Sequence, residues 1–387
     1  MAQSQIETAK EPLHTALFER HVALGGRMVD FAGYSLPVQY SGIVAEHLHT
    51  RKAASLFDVS HMGQVTVGGA DFESTAGALE QLLPGDLFGL APGEMRYTVL
   101  LNQSGGIEDD LIVTRPVEGQ APAGTLFIVV NAARKHHDVA LMRNRLPGLD
   151  FTLHDDRALI ALQGPQAADV LREFTDAPDR LGFMQSMPST FDGADVQISR
   201  SGYTGEDGFE IAVSDADADR VAERLLSNPL VLPAGLGARD SLRLESGLCL
   251  YGHDMDDGID PVSAGLLFAI GKHRRQAGGF AGADQVLEVL REGPAKKRVG
   301  IQFEGRMPVR EGAELVGPDG EVIGRVTSGT FSPSLQAPIA MGYVPVGLAA
   351  TGTTINATVR GKMVTGVVTK MPFVPQNYVR RAPGTQA

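Results

Sequence analysis

The apolar runs of this sequence are short. The longest, such as Leu126–Val130 and Leu266–Ile270, end within five residues, and 46 glycines and 22 prolines punctuate the chain. A glycine share of about 12% is above average usage and predicts many short elements joined by tight turns, with few long helices. Runs this brief cannot cross a bilayer as helices. The segment 1–12 lacks an apolar h-region and carries little positive charge. It is therefore not expected to be a signal peptide, and a bacterial cytoplasm is expected ahead of a mature organelle matrix.

The length, 387 residues, is about 2.6 times a 150-residue unit and allows two or three domains. Apolar residues at 43% suffice for a sizeable core. Thirty-four Lys and Arg against 46 Asp and Glu leave a net charge of −12, which argues against nucleic-acid or anionic-membrane partners. One cysteine, Cys249, excludes an internal disulfide and any cysteine-built zinc or iron–sulfur site.

From Pro12 to about Leu250, strand patterns alternate with short helix patterns. Gln64–Val67, Tyr97–Leu101, Leu111–Val113, Leu126–Val130, Ala158–Leu162 and Phe209–Val213 read as strands. Phe72, Ala76, Leu79 and Leu83 recur at helical spacing up to Pro84. Asp215–Leu226 opens on acids and closes on an apolar face, as a helix favours. The turn within Leu101–Ile107 is a hairpin signal, which implies antiparallel pairing and an α+β class over a doubly wound one. Lys272–Lys297 reads as a connector. Beyond it, evenly spaced patterns from Val299 to Val374 predict a small β-barrel or sandwich, and the tail from Pro383 is expected to be disordered.

Phosphate and hydrolase signatures fail. Gly361-Lys362 lacks the earlier glycine of a Walker loop, Gly278-Gly279 follows no βαβ strand, and no G-x-S-x-G elbow occurs. The acids Asp254, Asp256, Asp257 and Asp260 miss EF-hand spacing and are expected to form a solvated loop. His47, His49, His136 and His137 match no metal-ligand spacing.

Three segments carry more than structure needs. In Ser104–Asp110 a glycine turn leads through the acid pair Asp109-Asp110 into an apolar strand. Strand alternation sends one of the two carboxylates toward the core, where it needs a partner or a task. In Ser201–Glu210, Glu210 faces away from Phe209 and Ile211. In Gly235–Glu245, Arg239 and Arg243 stand one helical turn apart, a spacing that a surface charge pattern would also produce.

Taken together, these segments resemble the aminomethyltransferase (T-protein) family of the glycine cleavage system. The resemblance is collinear over nearly the whole chain. It includes Arg27–Gly33, Ser55–Met62, Gly105–Leu111, Leu162–Pro165, Gly202–Gly208, Gly235–Asp240, Arg243–Glu245, Leu250–Gly252, Thr327–Pro333 and Met371–Val374. Tyr34 stands where the family commonly has Trp.

The resemblance implies a three-domain cloverleaf: two interleaved α+β domains with antiparallel sheets, and a C-terminal small β-barrel. The expected boundaries are 10–60 with 150–250, 61–149 with 251–295, and 296–380. It implies tetrahydrofolate as co-substrate in a central cavity, lipoylated H-protein as partner, and neither metal nor flavin. The methylene unit of the aminomethylated lipoyl arm would pass to tetrahydrofolate with release of ammonia. By motif, Asp110 is the catalytic carboxylate, and Glu210, Arg239 and Tyr378 contact folate. Tyr97, Asn131, Tyr203 and Tyr251 line the cavity. Asp109→Asn is expected to do much less than Asp110→Asn. Two rivals share the cavity: the folate half of a flavin-linked dimethylglycine or sarcosine demethylase, and a folate protein supporting iron–sulfur enzymes. The first needs a dinucleotide fingerprint and the second a cysteine motif that this chain lacks. The basic clusters His273–Arg275 and Lys296–Arg298 could attract a polyglutamate tail or an acidic partner.

Overall fold

The structure, a computed structural model, describes residues 11–380. The expected tail disorder and most of the segment judged for a leader lie outside the described residues. Beside a two-stranded hairpin, Arg27–Phe31 with Tyr34–Gln39, three larger sheets organise the rest, and the chain moves between the first two.

One sheet has six strands in the order Gln185–Phe191, Ala194–Arg200, Gly208–Ser214, Arg157–Gln163, Ala54–Asp58 and Val231–Pro233. All neighbours are antiparallel except the last pair. The helix Asp215–Leu226 starts on a Ser214 cap and buries Val221 and Leu225 against it. The second sheet has five strands in the order Met95–Leu101, Ile107–Thr114, Leu126–Val130, Gly63–Gly68 and Asp150–His154. The helices Phe72–Leu79 and Lys135–Arg145 bury Leu79, Val139 and Met142 in its core.

Asp150–His154 pairs with Gly63–Gly68, so the expected boundary at 150 falls too early. The chain crosses back to the first sheet only after His154. The C-terminal strands close on themselves in the order Lys296–Phe303, Ala337–Pro345, Val322–Ser332, Glu314–Val316, Thr354–Val359 and Lys362–Thr369. Closure removes the sheet edges and selects a barrel over a sandwich. The class is α+β with antiparallel sheets and a C-terminal barrel, as expected. Among the described residues, no helix is long and apolar enough to cross a membrane.

Several local expectations change. The helix from Phe72 ends at Leu79, because the Glu80 carboxylate accepts the backbone N–H groups of Leu87 and Phe88 and fixes a turn. The segment Gln185–Phe191 pairs with Ala194–Arg200 as a hairpin that shows little alternation in sequence. Asp254 is not solvated: it is buried and accepts from Arg243 (2.6 Å), Ser328 (2.9 Å) and the Leu250 backbone. Arg243 is accordingly no surface charge. In the basic clusters, Arg274 binds Glu80, Arg275 binds the Leu267 and Ile270 carbonyls, and Arg298 binds the Ala264 and Gly247 carbonyls. Those guanidiniums hold loops together and are not free for an anionic partner.

Candidate active site

The three sheets leave a cavity of about 1000 Å³ between them. Asp110, Glu210, Arg239, Tyr378, Tyr97, Asn131, Tyr203 and Tyr251 all line it. Residues separated by as much as 281 positions in sequence, from Tyr97 to Tyr378, thus meet at one space.

The hairpin explains Asp110. Asn102 Oδ1 accepts the backbone N–H groups of Ser104 and Gly106 at 2.9 Å each. A Cβ on Gly106 would lie 1.8 Å from the Asp257 carbonyl oxygen, so only glycine fits. The register then slips by one residue between Leu100 and Leu101, a bulge that leaves Glu108 unpaired. From there Ile107, Asp109, Leu111 and Val113 face the core, while Asp110 and Ile112 face the cavity. The carboxylate sent inward is Asp109, and the one at the cavity is its neighbour.

The next strand supplies Asn131. Leu111 pairs with Val130, which sets Asn131 beside Asp110. Its Nδ2 donates to Asp109 Oδ1 at 2.8 Å and to Asp110 Oδ1 at 2.7 Å, and its backbone N–H donates to Asp109 Oδ2 at 3.1 Å. The Tyr97 hydroxyl also favours the ionised form of Asp110. Burial and the adjacent Asp109 charge outweigh these donors and push the Asp110 carboxyl up to about 7. A group with that affinity can hold or release a proton near neutrality.

Across the cavity, Glu210 stands between the fully buried Phe209 and Ile211 and accepts Ser201 Oγ at 2.6 Å. The Arg239 guanidinium lies 4.7 Å above the Tyr203 ring, and the Tyr203 hydroxyl donates to the Cys249 carbonyl. Tyr378 stacks on Phe183 with centroids 4.0 Å apart, and Arg134 sits 5.3 Å from the Tyr251 centroid. Carboxylate, guanidinium and flat phenol faces suit a planar heterocycle that has paired donors and an anionic tail.

A family model described as "GCVT N-terminal domain" matches residues 17–274, and one described as "Glycine cleavage T-protein C-terminal barrel domain" matches residues 296–375. The chain belongs to the glycine cleavage T-protein family. It is 46% identical over 388 residues to a mitochondrial aminomethyltransferase of Gallus gallus, covering 98% of this chain and 97% of the relative. A mitochondrial aminomethyltransferase of Solanum tuberosum is 44% identical over 377 residues, covering 95% and 91%. The crystal structure of the glycine cleavage system aminomethyltransferase T from Bartonella henselae superposes with a TM-score of 0.88 at 42% identity. That match covers 95% of this chain and 99% of the other.

Within this T-protein cavity stand residues that motif reading had not singled out. His61 is buried, its Nδ1 meets no partner, and burial followed by the nearby Arg239 charge holds its imidazole down at about 4. It is the last residue but one of the Ser55–Met62 segment, and a histidine just after a buried strand is the available signal. Phe268 is exposed at the cavity and packs on Tyr97 with centroids 5.5 Å apart. Nothing in its local sequence sets it apart from a core phenylalanine.

Proposed function

We propose that this T-protein family chain moves the methylene unit from the S-aminomethyl-dihydrolipoyl arm of H-protein to tetrahydrofolate, releasing ammonia. The observation that carries the reading is the convergence of Asp110, Asn131, Glu210, Arg239 and four tyrosines on one cavity. Glu210 would grip the adjacent ring N–H and exocyclic amine of the pterin. Tyr97, Tyr203, Tyr251 and Tyr378 would offer faces to the pterin and aminobenzoate rings, and Arg239 would add a positive charge.

Loss of the lipoyl thiolate from the S–CH2–NH2 group leaves a CH2=NH2+ iminium. Tetrahydrofolate N5 adds to that carbon and its proton passes to the amine. Ammonia departs to leave an N5 methylene iminium, and N10 attacks that carbon to close the five-membered ring, giving up its own proton. Asp110 would stabilise the cationic carbon and take the N10 proton. A largely apolar cavity wall would keep water from hydrolysing the iminium. The proposed chemistry calls for no metal and no flavin.

The domain division is proposed along the sheets, with the central crossover after His154. The partners proposed are lipoylated H-protein and folate, with no nucleic acid or membrane. A bacterial cytoplasm is the proposed compartment, to be tested by fractionation against the organelle suggested by the relatives named mitochondrial.

The test is ammonia release by the purified chain, supplied with tetrahydrofolate and aminomethyl-loaded H-protein. Release that needs both substrates supports the proposal. Methylenetetrahydrofolate formed only from formaldehyde, without H-protein, would replace it with the demethylase reading.

A further inference from the structure

Asp138 lies in the first turn of the helix Lys135–Arg145 and is fully buried. No protein N–H or O–H donor reaches either of its carboxylate oxygens. What it faces is another carboxylate, that of Asp109, also fully buried on the core side of the strand Ile107–Thr114. Two ionised carboxylates in contact, without a cation between them, cannot both persist in a protein interior. Among the described residues, the one guanidinium near Asp138 is already engaged. Arg134 binds the Glu108 carboxylate at 2.8 Å and comes no closer than 3.8 Å to Asp138. Glu108, Asp109, Asp110 and Asp138 therefore share one guanidinium; His137 reaches only the outer Glu108 carboxylate, at 3.3 Å, and Asn131, Tyr97, Tyr203, Tyr251 and Cys249 are the other polar groups near them.

We propose that Asp138 is held as the neutral acid and donates its proton to Asp109, and that through Asp109 and Asn131 it fixes the carboxylate of Asp110. Asp138 is thus a positioning residue. It touches neither the cavity nor a reacting atom, and its role in transfer rests on the reading of Asp110 above. Asp109 accepts from Asn131 through both oxygens, which orients the amide so that its second Nδ2 hydrogen points at Asp110. The bound proton also spares Asp110 a second full negative charge close by. Burial, then the Asp109 carboxylate, push Asp138 up to about 10, consistent with a proton retained throughout the neutral range.

Infrared difference spectra with carboxyl-labelled aspartate test the proton directly. They are taken on Asp110→Asn and on Asp110→Asn/Asp138→Asn at neutral pH, so that Asp110 contributes nothing. The proposal expects a protonated-carboxyl stretch that the second substitution removes; identical spectra overturn it. Activity then tests positioning. Asp138→Ala should lower kcat on the order of 10²-fold with little change in KM for tetrahydrofolate, the scale of a misplaced catalytic group. Asp138→Asn, which keeps a donor toward Asp109, should restore most of it. Should Asp138→Asn be as impaired as Asp138→Ala, or should both match the parent, the positioning role is overturned. A carboxyl band that is present while Asp110→Asn stays fully active would leave the shared proton standing and remove the catalytic reading instead.

Discussion

Two groups of buried acids in this molecule have opposite surroundings. Where the helix Leu236–Glu245 meets the barrel, Glu245 accepts from Arg51 at 2.9 Å, Ser332 at 2.5 Å and Ser334 at 2.7 Å, with His47 at 3.1 Å. Burial alone would raise its carboxyl, but the hydrogen bonds and charges of His47, Ser332 and Arg51 prevail and bring it down to about 2. Asp254 is likewise met by Arg243, Ser328 and Thr327. At the cavity wall and behind it, Asp110, Asp109 and Asp138 have Asn131, one tyrosine and no guanidinium of their own, and all three carboxyls are raised. The acids rich in donors tie the barrel to the rest of the chain. Of those short of donors, Asp110 borders the cavity, with Asp109 and Asp138 packed behind it, and there an unspent affinity for protons or cations serves chemistry.

The largest expected effect falls on the donor-poor side. Asp110→Asn keeps shape and removes charge, so single-turnover methylene transfer should drop ~10²–10⁴-fold while thermal stability holds. If Asp109→Asn abolishes transfer and Asp110→Asn does not, the assignment between the two acids reverses. On the donor-rich side the loss should appear as stability. Glu245→Ala removes the buried acceptor shared by Arg51, Ser332 and Ser334, leaving Arg51 with Glu206 as its remaining ion-pair partner, and should cost about 3–5 kcal/mol in denaturant unfolding. A cost under ~1 kcal/mol would erase the distinction between the two groups.

Glu210 sharpens the comparison, because it faces the cavity yet has Ser201 as a donor and Arg239 nearby. Glu210→Gln should weaken tetrahydrofolate binding by about 1.5–3 kcal/mol in calorimetry, with a smaller effect on the bound-state step. Unchanged affinity would take Glu210 out of the folate site.

The mildest perturbation is pH. Asp110 acts as the ionised form, so activity should fall about tenfold per unit as pH drops below about 7. Glu245 has a depressed carboxyl, so its contribution to stability is complete above its ordinary 4.5 and is lost as pH falls toward about 2. Between about 7 and 4.5 the enzyme should therefore lose activity while its unfolding midpoint keeps the Glu245 contribution. Activity and stability falling together in that interval would break the contrast.

Much of this architecture is written locally. The strand Leu126–Val130 and the helix Asp215–Leu226 have the bounds that periodicity and capping predict, because apolar period and first-turn acids act within a few residues. The hairpin at Leu101–Ile107 and the acid pair after it are likewise visible in the sequence, as are the motif segments carrying Glu210, Arg239 and Tyr378. What the sequence could not decide was which carboxylate faces what. Alternation sends one of Asp109 and Asp110 inward, but choosing between them takes the bulge at Glu108 and the register of Leu111 with Val130. Asp254 reads as part of a solvated loop, and a surface pattern stays open for Arg243, because their partners on the barrel, Ser328 and Thr327, lie more than 70 residues away. Asp138 gave no signal at all, since an acid in a first helical turn is ordinary until another acid is packed against it. Local propensity is set by neighbours in the chain, whereas the ionisation of a buried group is set by neighbours in space, which only the tertiary fold supplies.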